Sequence, residues 1–215
     1  MNEPNVNYVE GRSCDGCTMC CKLLQIRALD KPRSKWCTHC DIGVGCKIYD
    51  ERPSECRDFH CGFLINANFG EHWKPTNSKL VIALADDANQ LTVFVDPDRP
   101  EAWRKEPFYS DIKNWARVAA KNNRRVVVSI GYEVIAVTPD GETSLGQVSD
   151  DQMIIERRKR GAGGTGVEQI VVNRSDPILE AMRILKDPEA AKNASPEQLA
   201  EAKHMVDSWL EQQDE

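Results

Sequence analysis

Four cysteines fall within "CDGCTMCC", residues 14–21, and five more follow at Cys37, Cys40, Cys46, Cys56 and Cys61; no other position in the chain holds one. Thiolates are soft ligands and strong nucleophiles, so crowding them together points to metal chemistry. The spacing is Cys14-x2-Cys17-x2-Cys20-Cys21, then Cys37-x2-Cys40-x5-Cys46, then Cys56-x4-Cys61. A C-x2-C step suits a metal because the intervening turn aims backbone N–H groups at the first sulfur and brings the second within reach of the same ion. Two such steps in a row, Cys14–Cys17–Cys20, match the run that holds three corners of an iron–sulfur cubane, the fourth corner coming from far along the chain. Cys21 then points to a second or a rearranged centre.

Two plainer readings of the thiols fit less well. Cysteines used as small buried hydrophobes would scatter along the chain. A disulfide framework is disfavoured by the odd number, by the absence of an export signal in "MNEPNVNYVEGRS", and by the adjacent pair Cys20–Cys21, which can bridge only under strain. His39 and His60 lie between cluster cysteines and are able to ligate metal or hydrogen-bond a sulfur, although the cysteines already suffice.

The stretch "CDGCTMCC…CTHCDIGVGCKIYDERPSECRDFHC" resembles the YkgJ-type cysteine-cluster family, a zinc- or iron-chelating domain whose pattern runs CxxCxxCC, a C-x8-C pair and an "IYxxRPxxCRxFxC" ending. The resemblance covers residues 14–61 and implies eight metal ligands: Cys14, Cys17, Cys20, Cys21, Cys37, Cys46, Cys56 and Cys61. Cys40 departs from the pattern. Four thiolates around Zn²⁺ or a cubane core leave a net negative charge, which Arg52 and Arg57 of the ending are suited to offset. Tyr49 and Phe59 are placed to wall the site from water.

The implied cofactor is an iron–sulfur cluster, [4Fe-4S] in type, serving electron transfer, redox sensing or support of a partner enzyme. The alternative is Zn²⁺ in two closed four-cysteine sites of a structural interaction module. A third reading, a metal-dependent enzyme with an open coordination position, lacks any residue pattern that names a substrate.

The ligands need positioning. Residues 10–75 are punctuated by Cys, Gly, Pro and Asp without a sustained helical period, so metal bonds must supply folding energy that the segment's own apolar surface does not. "KPTNS", residues 74–78, reads as a linker. Beyond it, "KLVIALAD" and "QLTVFVD" read as a hairpin of strands. Phe108, Ile112, Trp115 and Ala119 mark one face of a helix. "RRVVVSIG", "YEVIAVT", "ETSLGQV", "QMIIERR" and "VEQIVVN" are further strands. "GAGGTG" at 161–166 precedes a strand, which excludes a dinucleotide fingerprint or a phosphate loop, and reads as a hairpin loop. The tail is helical, with Pro177 opening one helix over Ile178, Met182 and Leu185. Ser195, Pro196 and Gln198 form the start of another. The expected fold is α+β: an irregular cysteine-rich metal-binding segment packed on a small, mainly antiparallel sheet with C-terminal helices. The expected divisions are 1–75, 76–175 and 176–215.

Charge and composition bound the partners. The chain has 215 residues and a net charge of −6. Residues 1–75 carry ten basic and ten acidic side chains, and the rest carry 18 and 24. An acidic body beside a neutral thiol segment argues against a nucleic-acid partner, and the run "RRKR" at 157–160 reads as a solvated strand end. No apolar run approaches the roughly 18 residues of a spanning helix. With neither an export signal nor a spanning run, the expected compartment is the cytoplasm, where thiols are kept reduced, with an unidentified protein as partner.

Overall fold

A computed structural model describes residues 6–85, 89–122, 124–161 and 164–212. The chain divides into two compact units, Met1–Gln147 and Val148–Glu215. The class is α+β, with a mainly antiparallel sheet and C-terminal helices.

In the first unit the cysteine segment folds as short pieces: α1 (Met19–Leu23), the two-residue strands β1 (Cys40–Asp41) and β2 (Gly45–Cys46), α2 (Ser54–Arg57), α3 (Gly62–Ile65) and α4 (Pro75–Ser78). A five-stranded sheet follows in the order β3 (Leu80–Ala85), β4 (Gln90–Val95), β5 (Arg125–Ile130), β6 (Glu133–Val137) and β7 (Glu142–Gln147). All its pairings are antiparallel except β4 with β5. Parallel neighbours need a crossover, and α5 (Phe108–Lys121) supplies it. As its periodicity predicts, α5 buries Ile112 and Ala116, with Phe108, Trp115 and Ala119 packed against the same core.

The stretch 74–78 is not a linker. Pro75 opens α4 at a position where its missing N–H costs nothing, and Pro75 and Ser78 are buried. Beside them Trp73 is fully buried, its ring 4.6 Å from Trp115 and 4.9 Å from Phe108. Its indole N–H donates to Asp111 Oδ2 at 2.8 Å. The cysteine segment and the sheet therefore share one core, and no break falls at 75/76. Met19 and Leu23 of α1, and Phe63 and Leu64 of α3, belong to that core together with Leu80, Val93 and Val126 of the sheet. Gly62 marks how closely α3 approaches β3: a Cβ there would stand 2.7 Å from Ile82 Cγ2.

Arg12 fastens the start of the segment. Its guanidinium donates to the carbonyls of Phe63 (2.6 Å), Asn66 (3.1 Å) and Phe69 (2.7 Å), pairs with Glu71 at 3.1 Å, and stacks 4.3 Å over the Phe63 ring. Arg12→Ala leaves three carbonyls without their donor and is expected to cost about 3 kcal/mol of stability in denaturant titrations. Arg12→Lys recovers little, because an ammonium lacks the planar fork.

The second unit holds a long hairpin, β8 (Gln152–Gly161) with β9 (Gly164–Asn173), and three helices: α6 (Pro177–Lys186), α7 (Pro188–Asn193) and α8 (Pro196–Gln212). The expected loop at 159–166 is largely strand. Backbone pairing continues from Gln152↔Asn173 to Gly161↔Gly164, since glycine weakens a ladder without forbidding it. Residues 162–163, and the side chains of the basic run 157–160, lie outside the described residues, as does the turn at 86–88. Asp176 caps α6, and Ser195 with Gln198 closes the capping box of α8 in both directions, at 2.8 and 3.2 Å. In α6 the buried positions are Ile178 and Ala181, while Leu185 is exposed. The helix α7 had no apolar period to announce it; Asp187 caps it and Pro188 opens it. No described helix is long and apolar enough to cross a membrane.

Candidate metal centre

Two of the three C-x2-C steps form the same turn, with Cys17 N–H donating to the Cys14 carbonyl at 2.8 Å and Cys40 N–H to the Cys37 carbonyl at 3.0 Å. Gly16 makes the first turn possible. It sits at φ +66°, and a Cβ there would stand 3.3 Å from the Gly43 carbonyl at the tip of the β1–β2 hairpin. The Thr18 hydroxyl accepts from Gly43 N–H at 3.1 Å, which fixes that tip against α1. Cys20 and Cys21 lie on α1, and Cys37 N–H donates to the Cys21 carbonyl at 3.0 Å. Cys40 stands opposite Cys46 across the hairpin. Cys56 is carried by α2, and Cys61 precedes α3.

The thiols sort into two neighbourhoods. Cys17 and Cys61 act on Cys14. Cys20 raises the Cys21 thiol pKa, and burial, followed by the charges of Cys21, Cys37 and Cys46, raises that of Cys56. Cys20, third in the sequence run, thus stands beside Cys21, and Cys40 lies within the second group although it departs from the family pattern. All nine cysteines are free. Among the described residues no three Cys, His, Asp or Glu side chains stand at metal-ligating spacing. Cysteine sulfur is a donor that fits iron–sulfur or zinc, and among the described residues no group of these side chains is closed around a point.

Histidine 60 has a distinct environment. Its Nδ1 is 3.0 Å from the Tyr8 hydroxyl, and its Nε2 is buried without a hydrogen-bond partner. A ring nitrogen oriented by its opposite number is the arrangement found in metal-ligating histidines. His60 adjoins Cys61 in the sequence. His39 offers its carbonyl, which accepts from Lys47 N–H at 2.8 Å.

The two arginines differ in their surroundings. The positive charge of Arg52 acts on both Cys14 and Cys56, while its Nε donates to the Tyr49 carbonyl at 2.8 Å. Arg57 donates to the Arg52 carbonyl at 2.6 Å and so steadies the backbone of its neighbour. Tyr49 does not wall the site: it is 61% exposed, with Arg52 stacked 3.7 Å over its ring. Phe59 packs against the core.

Two lysines were not legible as site residues. Lys22, on α1 beside Cys21, is buried and donates to Asp96 and Asp98 at 2.6 Å each, tying the thiol-bearing helix to the end of β4. Burial opposes its charge, but the two carboxylates raise its pKa above the ordinary lysine value. Lys31, only 6% exposed, donates to the carbonyls of Lys22 (2.8 Å) and Leu24. Burial lowers its pKa, and Cys21, Cys37, Cys20 and Cys56 oppose that effect.

Burial raises the thiol pKa values of Cys14, Cys40, Cys56 and Cys61 in the metal-free protein. Burial first, and Cys17 and Cys61 after it, push Cys14 up to about 11; burial and then Cys21 push Cys40 up to about 11. Hydrogen bonding to Cys20, followed by burial, raises Cys21. An unfolded thiol titrates near 8.5. Between about 8.5 and 11 the unfolded chain has lost thiol protons that the folded chain retains, so rising pH favours unfolding. Metal-free protein is expected to hold its full stability below about pH 8.5 and to lose it progressively toward pH 11, as read from denaturant midpoints at pH 7, 9 and 10.5.

No family model, curated protein or solved structure matches this chain.

Proposed function

We propose that this is a metal-binding protein whose N-terminal thiols hold iron–sulfur, in electron transfer, redox sensing or support of a protein partner in the cytoplasm, and that residues 14–61 relate it to the YkgJ-type cluster family. One observation carries the reading. Between Pro32 and His60 the only buried residue is Cys40, yet that stretch bears Cys37, Cys46 and Cys56 as well, and Cys37 N–H donates to the Cys21 carbonyl of α1 at 3.0 Å. A segment without a core of its own needs cross-links, and free thiols that gather into groups are the cross-link it carries. The ligands would be Cys14, Cys17 and Cys61 with His60 on one side, and thiols from Cys20, Cys21, Cys37, Cys46 and Cys56 on the other. An iron–sulfur centre supplies one-electron chemistry when bound. The chain's own contribution is to bury the sulfur atoms, orient them through the two C-x2-C turns, and offset their charge.

A specific observation favours zinc as the second reading. Cys20 stands with Cys21, whereas the cubane run asks Cys20 to join Cys14 and Cys17; two separate thiol groups suit two closed tetrahedral sites. Absorption spectra of protein purified without oxygen separate the readings. A brown protein with broad visible absorption that bleaches on reduction supports iron–sulfur, and a colourless, air-stable metalloprotein supports zinc.

A further inference from the structure

One pair of cysteines is placed by the backbone itself. In the hairpin of β1 and β2, Cys40 stands directly opposite Cys46, and among the described strands this is the only cross-strand pair made of two cysteines. The flanking residues tell which kind of pair it is. Lys47 N–H donates to the His39 carbonyl at 2.8 Å, so His39 and Lys47 form a hydrogen-bonded pair. Pair types alternate along an antiparallel ladder, which makes Cys40 and Cys46 a non-hydrogen-bonded pair. In such a pair the Cα atoms stand about 4.5 Å apart, within the roughly 4.4–6.8 Å that a disulfide spans, and both side chains leave the same face. The turn holds this register. Val44 N–H donates to the Asp41 carbonyl at 2.9 Å, Gly43 takes φ +78°, and the Gly43 N–H donates to the Thr18 hydroxyl at 3.1 Å. Solvent reaches the hairpin, for Ile42 and Val44 at its tip are 59% and 71% exposed. Cys46 is half-buried, Cys40 is buried, and both are free thiols.

We propose that Cys40 and Cys46 are a dithiol modification site, which a hydroperoxide converts reversibly into a cross-strand disulfide. The inference stands on the hairpin register and not on the metal-binding reading. The more accessible Cys46 sulfur attacks hydrogen peroxide: an S–O bond forms, the O–O bond breaks, and one water leaves. The Cys40 sulfur then attacks the sulfenic sulfur of Cys46: the S–S bond forms, the S–O bond breaks, and a second water leaves. The two sulfurs together give up two electrons to the peroxide oxygens, and each thiol proton departs in a water. A resolving thiol already opposite the sulfenic acid closes the bond before a second peroxide can carry Cys46 to the sulfinate. Cys46 is also one of the expected metal ligands, so the disulfide removes one donor from that set.

The test treats the native full-length chain, prepared without oxygen, with one equivalent of hydrogen peroxide and then alkylates the remaining thiols. Mass spectrometry of unreduced peptides, cut before Asp41 to separate the two cysteines, locates the bonds. Wild type, Cys40→Ser and Cys46→Ser are compared, each with and without a dione that traps sulfenic acids. Wild type should lose two of its nine thiols to a Cys40–Cys46 bond, and dithiothreitol should restore both. Cys40→Ser should form no such bond and should accumulate trapped sulfenic acid at Cys46, where wild type shows little. Cys46→Ser should leave Cys40 reduced. The wild-type map is decisive whether or not either variant folds. A predominant bond elsewhere, such as Cys46–Cys56 or Cys20–Cys21, overturns the proposal, as does sulfinate at Cys46 without a bond or an absence of reaction. Metal content of the same preparation is read separately. A Cys40–Cys46 bond in protein that holds no metal contradicts the metal reading and leaves the dithiol site standing.

Discussion

Chelation of the resident metal should open residues 32–60 while the sheet stays folded. The sheet has its own core: Leu80, Val93, Val126 and Val128 are fully buried, and Trp73 and Trp103 close over it. Residues 32–60 bury Cys40 alone, and they are held by a two-residue hairpin, turn hydrogen bonds and the contact of Glu55 with the Arg27 and Ala28 N–H groups at 3.2 and 2.9 Å. Such exposed hydrogen bonds are worth about 1 kcal/mol each, whereas a structural metal–thiolate site supplies on the order of 10 kcal/mol. Hydrogen exchange should therefore show amides in 32–60 losing protection by at least about a thousandfold after chelation, with β3 to β6 keeping theirs. Unchanged protection in 32–60 would mean that backbone contacts suffice.

The second large effect concerns which thiols share an ion. Cys37→Ser and Cys14→Ser should each remove a different part of the bound metal, and the double variant should remove all of it. The reason is electrostatic: Cys17 and Cys61 act on Cys14, whereas Cys37 acts on Cys56 and Cys40. Cys40→Ser should keep its metal. Thr18 and Cys21 are polar influences on the Cys40 thiol, and a serine hydroxyl accepts and donates in the same place. Elemental analysis after exhaustive dialysis reads all four variants. Loss of the same metal from Cys14→Ser and Cys37→Ser would reveal a single centre and contradict the division into two groups.

Much of the scaffold is written locally. The face of Phe108, Ile112, Trp115 and Ala119 defines α5, and Ser195 with Gln198 defines the start of α8, because helix periodicity and capping act within a few residues. The C-x2-C spacing likewise announces turns that form as expected at Cys14–Cys17 and Cys37–Cys40. What the sequence hides is set by distant partners. Nothing in "ALDKP" singles out its lysine, and only the turn from Ile26 to Lys31 buries it against the Lys22 and Leu24 carbonyls. The residues "KPTNS" have the composition of a loop, and they fold as α4 because Trp73 beside them fills a space between Trp115 and Phe108. Cys20 follows Cys17 at the spacing of a cubane run, yet α1 begins at Met19, and its second cysteine, Cys21, becomes its neighbour in space. The length of the β8–β9 hairpin escaped for a different reason: glycine-rich sequence lowers strand propensity, while cross-strand pairing carried on regardless.

The most direct measurement is the iron, zinc and acid-labile sulfide content of native full-length protein, prepared without oxygen and never exposed to chelator. Iron with sulfide, or about two zinc ions per chain, lost together with the protection of residues 32–60, is the expected result. Protein free of both metals in which residues 32–60 remain protected from exchange would contradict it.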